Sequence, residues 1–219
     1  MMRGMIRNLF YNCCAISHSE EWLLNINKLN TYSHVFNGRK LVIVRTGENI
    51  VEPNLVREAF DFDAEFIYLP NNTELQEVSG FIETLGQLES INPDERTFYA
   101  HTKGVRYAPT DAKLETIRIW RNAMYDGCLS NIPQVDKVLD TYSCCGCFLL
   151  KYPFVRNKWL FAGSFWWVNH AKLFSQPSWK VTRDDKYSTE HYLSGLFPSR
   201  ASFYLNEGRD KQTMRYIKT

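Results

Sequence analysis

The stretch Arg96-Thr-Phe-Tyr-Ala-His-Thr-Lys-Gly-Val105 carries a short apolar run straight into a polar turn holding an imidazole and an ammonium. In open α/β sheets, ligands bind beyond the carboxyl ends of the strands, so such a turn would hold side chains over a crevice. His101, Thr102 and Lys103 would face it, with Gly104 letting the backbone turn close by. A compact positive charge beside an imidazole suits an anion, with phosphate the expected one. The competing reading is an ordinary strand followed by a solvated basic turn. Arg118 and Arg121 stand one helical turn apart and could reach a phosphate, or simply lie on an exposed helix face.

Such a turn needs a scaffold, and the chain supplies alternating elements. Residues 9–16 read as a strand, and Ser19 can cap a helix in which Trp22, Leu23, Ile26 and Leu29 recur at helical spacing. Strands are expected at 40–44, 64–69 and 97–100, with helices at 53–60 and 74–88 between them. In the second half, helices are expected at 113–124, 132–139, 169–174 and 188–195, and a strand at 143–150. The Pro at 153 breaks regularity before an aromatic-rich mixed segment at 159–168. Strands alternating with helices predict an α/β, Rossmann-like domain with a mostly parallel mixed sheet flanked by helices.

Bulk properties exclude several classes. With 26 basic and 24 acidic residues among 219, the net charge is only +2, which gives nucleic acid no broad electrostatic footprint. No apolar stretch approaches the roughly 20 residues of a transmembrane helix. The N-terminus lacks a signal-peptide core, so a cytoplasmic protein is expected. Six cysteines, two pairs of them adjacent, read as reduced thiols rather than a disulfide framework, and their spacing does not suit zinc.

Four segments in order, His101-Thr-Lys-Gly104, Trp120-Arg-Asn-Ala-Met124, Gly163-Ser-Phe-Trp-Trp-Val-Asn169 and Thr189-Glu-His-Tyr-Leu193, carry a resemblance. Together the chain resembles short GT-A type glycosyltransferases of the kind found in bacterial surface-polysaccharide loci and large viruses. The resemblance implies one domain over residues 1–219, with a nucleotide-sugar half at about 1–110 and an acceptor half at about 111–219. It implies a nucleotide-diphosphate sugar as donor and a glycan or other hydroxyl as acceptor. The donor would lie near Asn12, Arg45, Thr46 and Asn71, with Thr102, Gly104 and Arg121 towards its phosphates. Lys103 and His101 would stabilise the departing diphosphate.

Many members of that family hold a divalent metal such as manganese on a D-x-D carboxylate pair after the strand that here ends at Ala100. This chain has His101-Thr-Lys103 there, so transfer without a metal cofactor is the expectation. The literal Asp61-Phe-Asp63 precedes the third strand and reads as a solvated turn. An inverting transferase needs a carboxylate to take the acceptor's proton, and Glu190 fits, with Asp184 and Asp185 as competitors. The other reading of Glu190 is a helix-start carboxylate facing unpaired backbone N–H groups. For the acceptor, Gly163, Ser164, Trp166, Trp167 and Asn169 combine aromatic faces with small and polar groups, as sugar sites do. Trp166 and Trp167 alternate across a strand, so one could be core while the other covers a neighbouring helix; the expectation is one in the core and one in the site. Two rival functions fit the same residues: a nucleotide or phosphoester hydrolase using His101, and a non-catalytic carbohydrate-binding protein.

Overall fold

The computed structural model describes residues 4–151, 159–182, 185 and 187–206. The first half runs β1 (Ile6–Cys13), α1 (Glu21–Asn30), β2 (Lys40–Thr46), α2 (Pro53–Glu58), β3 (Glu65–Pro70), α3 (Phe81–Gly86) and β4 (Glu95–His101). The second runs α4 (Leu114–Leu129), α5 (Ile132–Thr141), β5 (Cys144–Gly146), β6 (Leu149–Lys151), β7 (Trp159–Phe161), β8 (Trp166–Asn169), α6 (His170–Phe174), α7 (Ser188–Leu196) and β9 (Ser202–Tyr204).

Seven strands form one sheet in the order β3-β2-β1-β4-β8-β5-β9, while β6 and β7 pair as a separate ribbon. The four strands of the first half are parallel, and β8 runs antiparallel to both β4 and β5. This is the expected mostly parallel mixed sheet with helices on its faces. Consecutive apolar residues occupy the middles of β1, β2 and β4 because both faces are covered. Leu9, Tyr11, Val42, Val44, Phe98 and Ala100 pack under α1, α4 and α5, whereas Phe10, Leu41, Ile43 and Tyr99 pack under α3, α6 and α7.

The first strand runs 6–13 rather than the expected 9–16, and three further elements depart from the sequence reading. The helix expected at 74–88 is broken: a 3₁₀ turn at Gln76–Val78 precedes α3, and Gly80 between them has φ +73°. That left-handed backbone suits glycine and stops the helix from continuing. The strand expected at 143–150 is also two pieces, because Phe148 takes φ +52° and the chain leaves the main sheet after Gly146. Helix α4 extends past 124 to Leu129, burying Tyr125 and Cys128. The irregularity expected around the Pro at 153 lies outside the described residues.

Candidate functional site

Strands β2 and β3 lie on one side of β1 and β4 lies on the other, so the connections leaving β1 and β4 diverge at their carboxyl ends. Such a switch point is where open α/β sheets bind ligands. Asn12 on β1 is in register with His101 on β4, and both line a cavity of about 400 Å³.

The turn after β4 is fixed on three sides. Its Thr102 accepts a hydrogen bond from the backbone N–H of Cys14 at 3.0 Å and donates through the same hydroxyl to the Cys14 carbonyl at 3.3 Å. Asn25 of α1 accepts from the Lys103 N–H at 3.1 Å and donates to its carbonyl at 2.8 Å. Gly104 has φ +90°, and a side chain there would meet Ile117 of α4 at 3.0 Å. The left-handed backbone therefore calls for glycine, and the space towards Ile117 is tight.

His101 is half-buried, and its Nε2 lies 3.0 Å from the Gly163 carbonyl. A carbonyl can only accept, so Nε2 carries the proton, leaving Nδ1 as the acceptor of the neutral ring. Burial pushes the His101 pKa below its ordinary value, with Glu77 and Glu190 opposing and Lys103 assisting. Lys103 is likewise lowered by burial, against the pull of Glu190 and Glu77. Its ammonium sits 4.5 Å from the centre of the Trp120 ring.

On the β1–β2 side, Arg45 donates to Asn12 Oδ1 at 3.1 Å and to the Ser79 carbonyl at 2.6 Å. Its remaining Nη1 is buried without a described partner, and burial lowers its pKa. Asn12 donates in turn to the Glu77 carbonyl. Asn71, Glu77, Arg106 and Glu190 complete the charged and polar wall. Glu190 lies in the first turn of α7. The neighbouring Thr189 donates to Glu77 Oε1 at 3.3 Å, tying α7 to the turn before α3.

The structure thus brings together Asn12, Arg45, Asn71, His101, Thr102, Lys103, Gly104 and Glu190. Other expected site residues stand elsewhere. Arg121 is buried and spent on an ion pair, its Nη1 lying 2.6 Å from Glu21 Oε2, and Arg118 meets the other oxygen of the same carboxylate. Neither arginine is an anion clamp. Thr46 is off the cavity wall, where its carbonyl accepts from the Asn71 N–H.

The aromatic pair needs a larger correction. Trp166 and Trp167 are both buried, one on each face of β8. Trp167 stacks on Phe36 and donates its indole N–H to the Cys128 carbonyl. Trp166 packs on Tyr99, Phe81 and Tyr192. With helices on both faces, neither ring reaches the crevice. Because β8 runs antiparallel to β4, Asn169 lies at the opposite end of the sheet, in register with Arg96. There it caps α6 by accepting from the Lys172 N–H. Gly163 and Ser164 precede β8 and sit near the crevice without lining it, Gly163 through its bond to His101 and Ser164 with φ +59° and a buried hydroxyl.

Asp185 accepts from the Tyr187 N–H in the turn before α7 and is not on the cavity wall, while the residue at 184 lies outside the described residues. Asp61 and Asp63 are exposed in a turn, as the sequence suggested. Sequence reasoning missed Glu77, Trp120 as a wall residue, and Asn25. Gly80, sitting inside an apparent helix, was the one signal that residues 76–79 turn towards the crevice.

None of the six cysteines forms a disulfide. Burial raises the thiol pKa of Cys14, which lines the cavity, so it is not poised as a thiolate at neutral pH. Residues at the end of β4 do not suit a divalent cation, since Lys103 places an ammonium there. Among the described residues no three His, Cys, Asp or Glu side chains form a metal-holding group. Nor, among them, is any helix long and apolar enough to cross a membrane.

No protein-family model and no curated protein matches this chain. Among solved structures, 4-diphosphocytidyl-2C-methyl-D-erythritol synthase is similar at 10% identity and a TM-score of 0.47, over 98% of this chain and 99% of that one. A likeness that low assigns no activity.

Proposed function

We propose that this chain is a glycosyltransferase that moves a sugar from a nucleotide-diphosphate sugar to a hydroxyl of a glycan or similar acceptor. One observation carries the reading: Arg45, Lys103 and Arg106 share a single crevice with the carboxylate of Glu190, at the switch point of a mostly parallel sheet. The cations suit a diphosphate, and the carboxylate suits removal of a hydroxyl proton.

In this mechanism Asn12, Arg45 and Asn71 hold the nucleotide over the ends of β1, β2 and β3. Lys103 faces the β-phosphate, where charge develops as the bond from the anomeric carbon to the phosphate oxygen breaks. A preorganised cation in a partly dry crevice acts there without reorganising at the moment of reaction. His101, neutral and held by Gly163, adds a polar contact, while Thr102 and Gly104 shape the turn around the phosphates. Glu190 takes the proton from the acceptor hydroxyl as its oxygen attacks the anomeric carbon, and the nucleoside diphosphate leaves. The positive charge comes from the protein, so the reaction is assigned no metal.

The carbohydrate-binding alternative loses its main support, because the tryptophan pair that suggested it is core. Hydrolysis remains the rival enzyme class, and acceptor dependence separates the two.

The test is a thermal-shift panel of nucleoside diphosphates and nucleotide sugars, each with EDTA and with manganese, since a ligand that binds the folded state raises its apparent stability. A shift with one diphosphate in EDTA, followed by acceptor-dependent loss of its nucleotide sugar, is the expected result. A shift seen with manganese alone would overturn the metal-independent assignment. Release of phosphate or nucleoside monophosphate without an acceptor would replace the transferase with a hydrolase.

A further inference from the structure

Trp120 differs from the enclosed tryptophans of the second half. Trp159, Trp166 and Trp167 are fully enclosed, whereas Trp120 is half-buried and forms part of the crevice wall. Phe148 meets its ring edge-on, with centroids 6.1 Å apart and planes at 87°, which steadies the indole from the core side. Lys103 Nζ lies over the ring at 4.5 Å. The indole N–H is buried and donates to no described group. Beside it, Gly163 keeps the backbone close: a methyl group in its place would come 2.5 Å from Met124 Sδ and 3.4 Å from the Trp120 ring.

Position along the crevice then narrows the ligand. Asn71 follows β3, and Arg45 and Asn12 stand at the ends of β2 and β1, whereas Trp120 stands next to Gly163, which accepts from His101 at the β4 end, in the part that Glu190 also lines. A nucleotide bound over β1 and β2 would direct its sugar towards the indole. The apolar C–H face of a pyranose suits a fixed aromatic plane, as binding sites pair aromatic walls with a few placed polar groups. An ammonium over an indole is held less firmly than one against a phosphate.

We propose that the Trp120 indole is the wall on which the sugar ring of the substrate lies, with Lys103 exchanging its place over that ring for the substrate's phosphate. Lys103 thereby links the two halves of one ligand: phosphate binding draws the ammonium off the ring, and the uncovered face receives the sugar. This rests on the glycosyltransferase reading above, and the experiment separates the two.

The full chain, its Trp120→Leu and Trp120→Phe variants and Lys103→Met are titrated calorimetrically with UDP, GDP, ADP, CDP and dTDP and with the glucose ester of each. For the pair that binds, Trp120→Leu should keep diphosphate affinity within about twofold while weakening the nucleotide sugar about tenfold, with Trp120→Phe between. Lys103→Met should weaken both ligands. Tryptophan fluorescence of the unmodified chain should change on adding the diphosphate alone, and that change should disappear in Trp120→Phe, which keeps an aromatic ring if the leucine variant folds poorly. Equal losses for both ligands in Trp120→Leu, or none for either, would overturn the stacking wall while leaving the nucleotide reading intact. Failure of every diphosphate and sugar ester to bind the unmodified chain would overturn both.

Discussion

Asn25 holds the Lys103 peptide from both sides, accepting from its N–H at 3.1 Å and donating to its carbonyl at 2.8 Å. The same amide nitrogen also donates to the Glu21 carbonyl, so one fully buried side chain joins α1 to the turn after β4. The clamp fixes the backbone from which the Lys103 side chain leaves. Asn25→Ala should leave the Lys103 peptide groups without these partners and cost about 1–3 kcal/mol of stability. It should also weaken diphosphate binding about tenfold, because the ammonium is no longer held in place. Chemical denaturation and calorimetry on the same variant would check both, and unchanged diphosphate affinity would remove the positioning role.

Loss of the charge itself should act on the chemical step. Lys103→Met is expected to lower kcat about 10²–10³-fold, as removal of one preorganised stabilising group does. Glu190→Gln should lower it about 10²–10⁴-fold with little change in donor affinity. Because burial lowers the Lys103 pKa, the positive charge is lost as pH rises at a point below that of an ordinary lysine. Diphosphate affinity should therefore weaken earlier on the alkaline side than solvent-exposed lysines would dictate. Steady-state rates and a pH series of binding constants give the comparison.

Glu21, Arg121 and Arg118 form a structural triad rather than a ligand site. Glu21 and Arg121 are nearly fully buried, whereas the Arg118 side chain is 39% exposed. Removing the carboxylate in Glu21→Ala strands the buried Arg121 charge and should cost about 3–5 kcal/mol. Arg118→Ala, whose charge is largely screened by solvent, should cost within about 1 kcal/mol. Urea titration of the two variants would expose the difference, and similar costs for both would contradict it.

His170 sits at the far end of the sheet, its Nε2 2.5 Å from Thr97 Oγ1 and its Nδ1 3.6 Å from Glu95. Burial takes its pKa from 6.5 down to about 4, despite the pull of Glu95. The ring is thus neutral at pH 7, and the approach to Glu95 is not an ion pair. Below pH 6.5 the unfolded chain takes up this proton while the folded chain does not. Stability should therefore fall as pH drops from 6.5 towards 4, by about 3 kcal/mol in all from this group. His101, shifted in the same direction, adds with the same sign. His170→Gln should be less stable at pH 7 but should show a shallower fall over that window in thermal melts.

Much of the first half was legible because buried parallel strands leave a plain mark. The runs in β1, β2 and β4 are apolar on both faces, and His101 to Gly104 announced a functional turn by following one of them. Residues whose role depends on what stands across from them were not legible. Arg121 looks the same on a helix wheel whether it meets a phosphate or Glu21, and the partner is 100 positions away. Trp166 and Trp167 alternate across a strand, but alternation cannot reveal that α-helices cover both faces of β8. Glu77 was hidden inside an apparent helix until the left-handed backbone at Gly80 turned the chain.

The direction of β8 divides the seven residues from Gly163 to Asn169 among three masters. Its start holds the imidazole of the crevice, its middle fills the interior on both sides of the sheet, and its end closes off a helix at the opposite pole. A saturation scan across this segment would meet steric intolerance first, then a demand for bulk, then a demand for a short polar acceptor. What looks in the sequence like one compact signature runs from the crevice to the opposite end of the sheet.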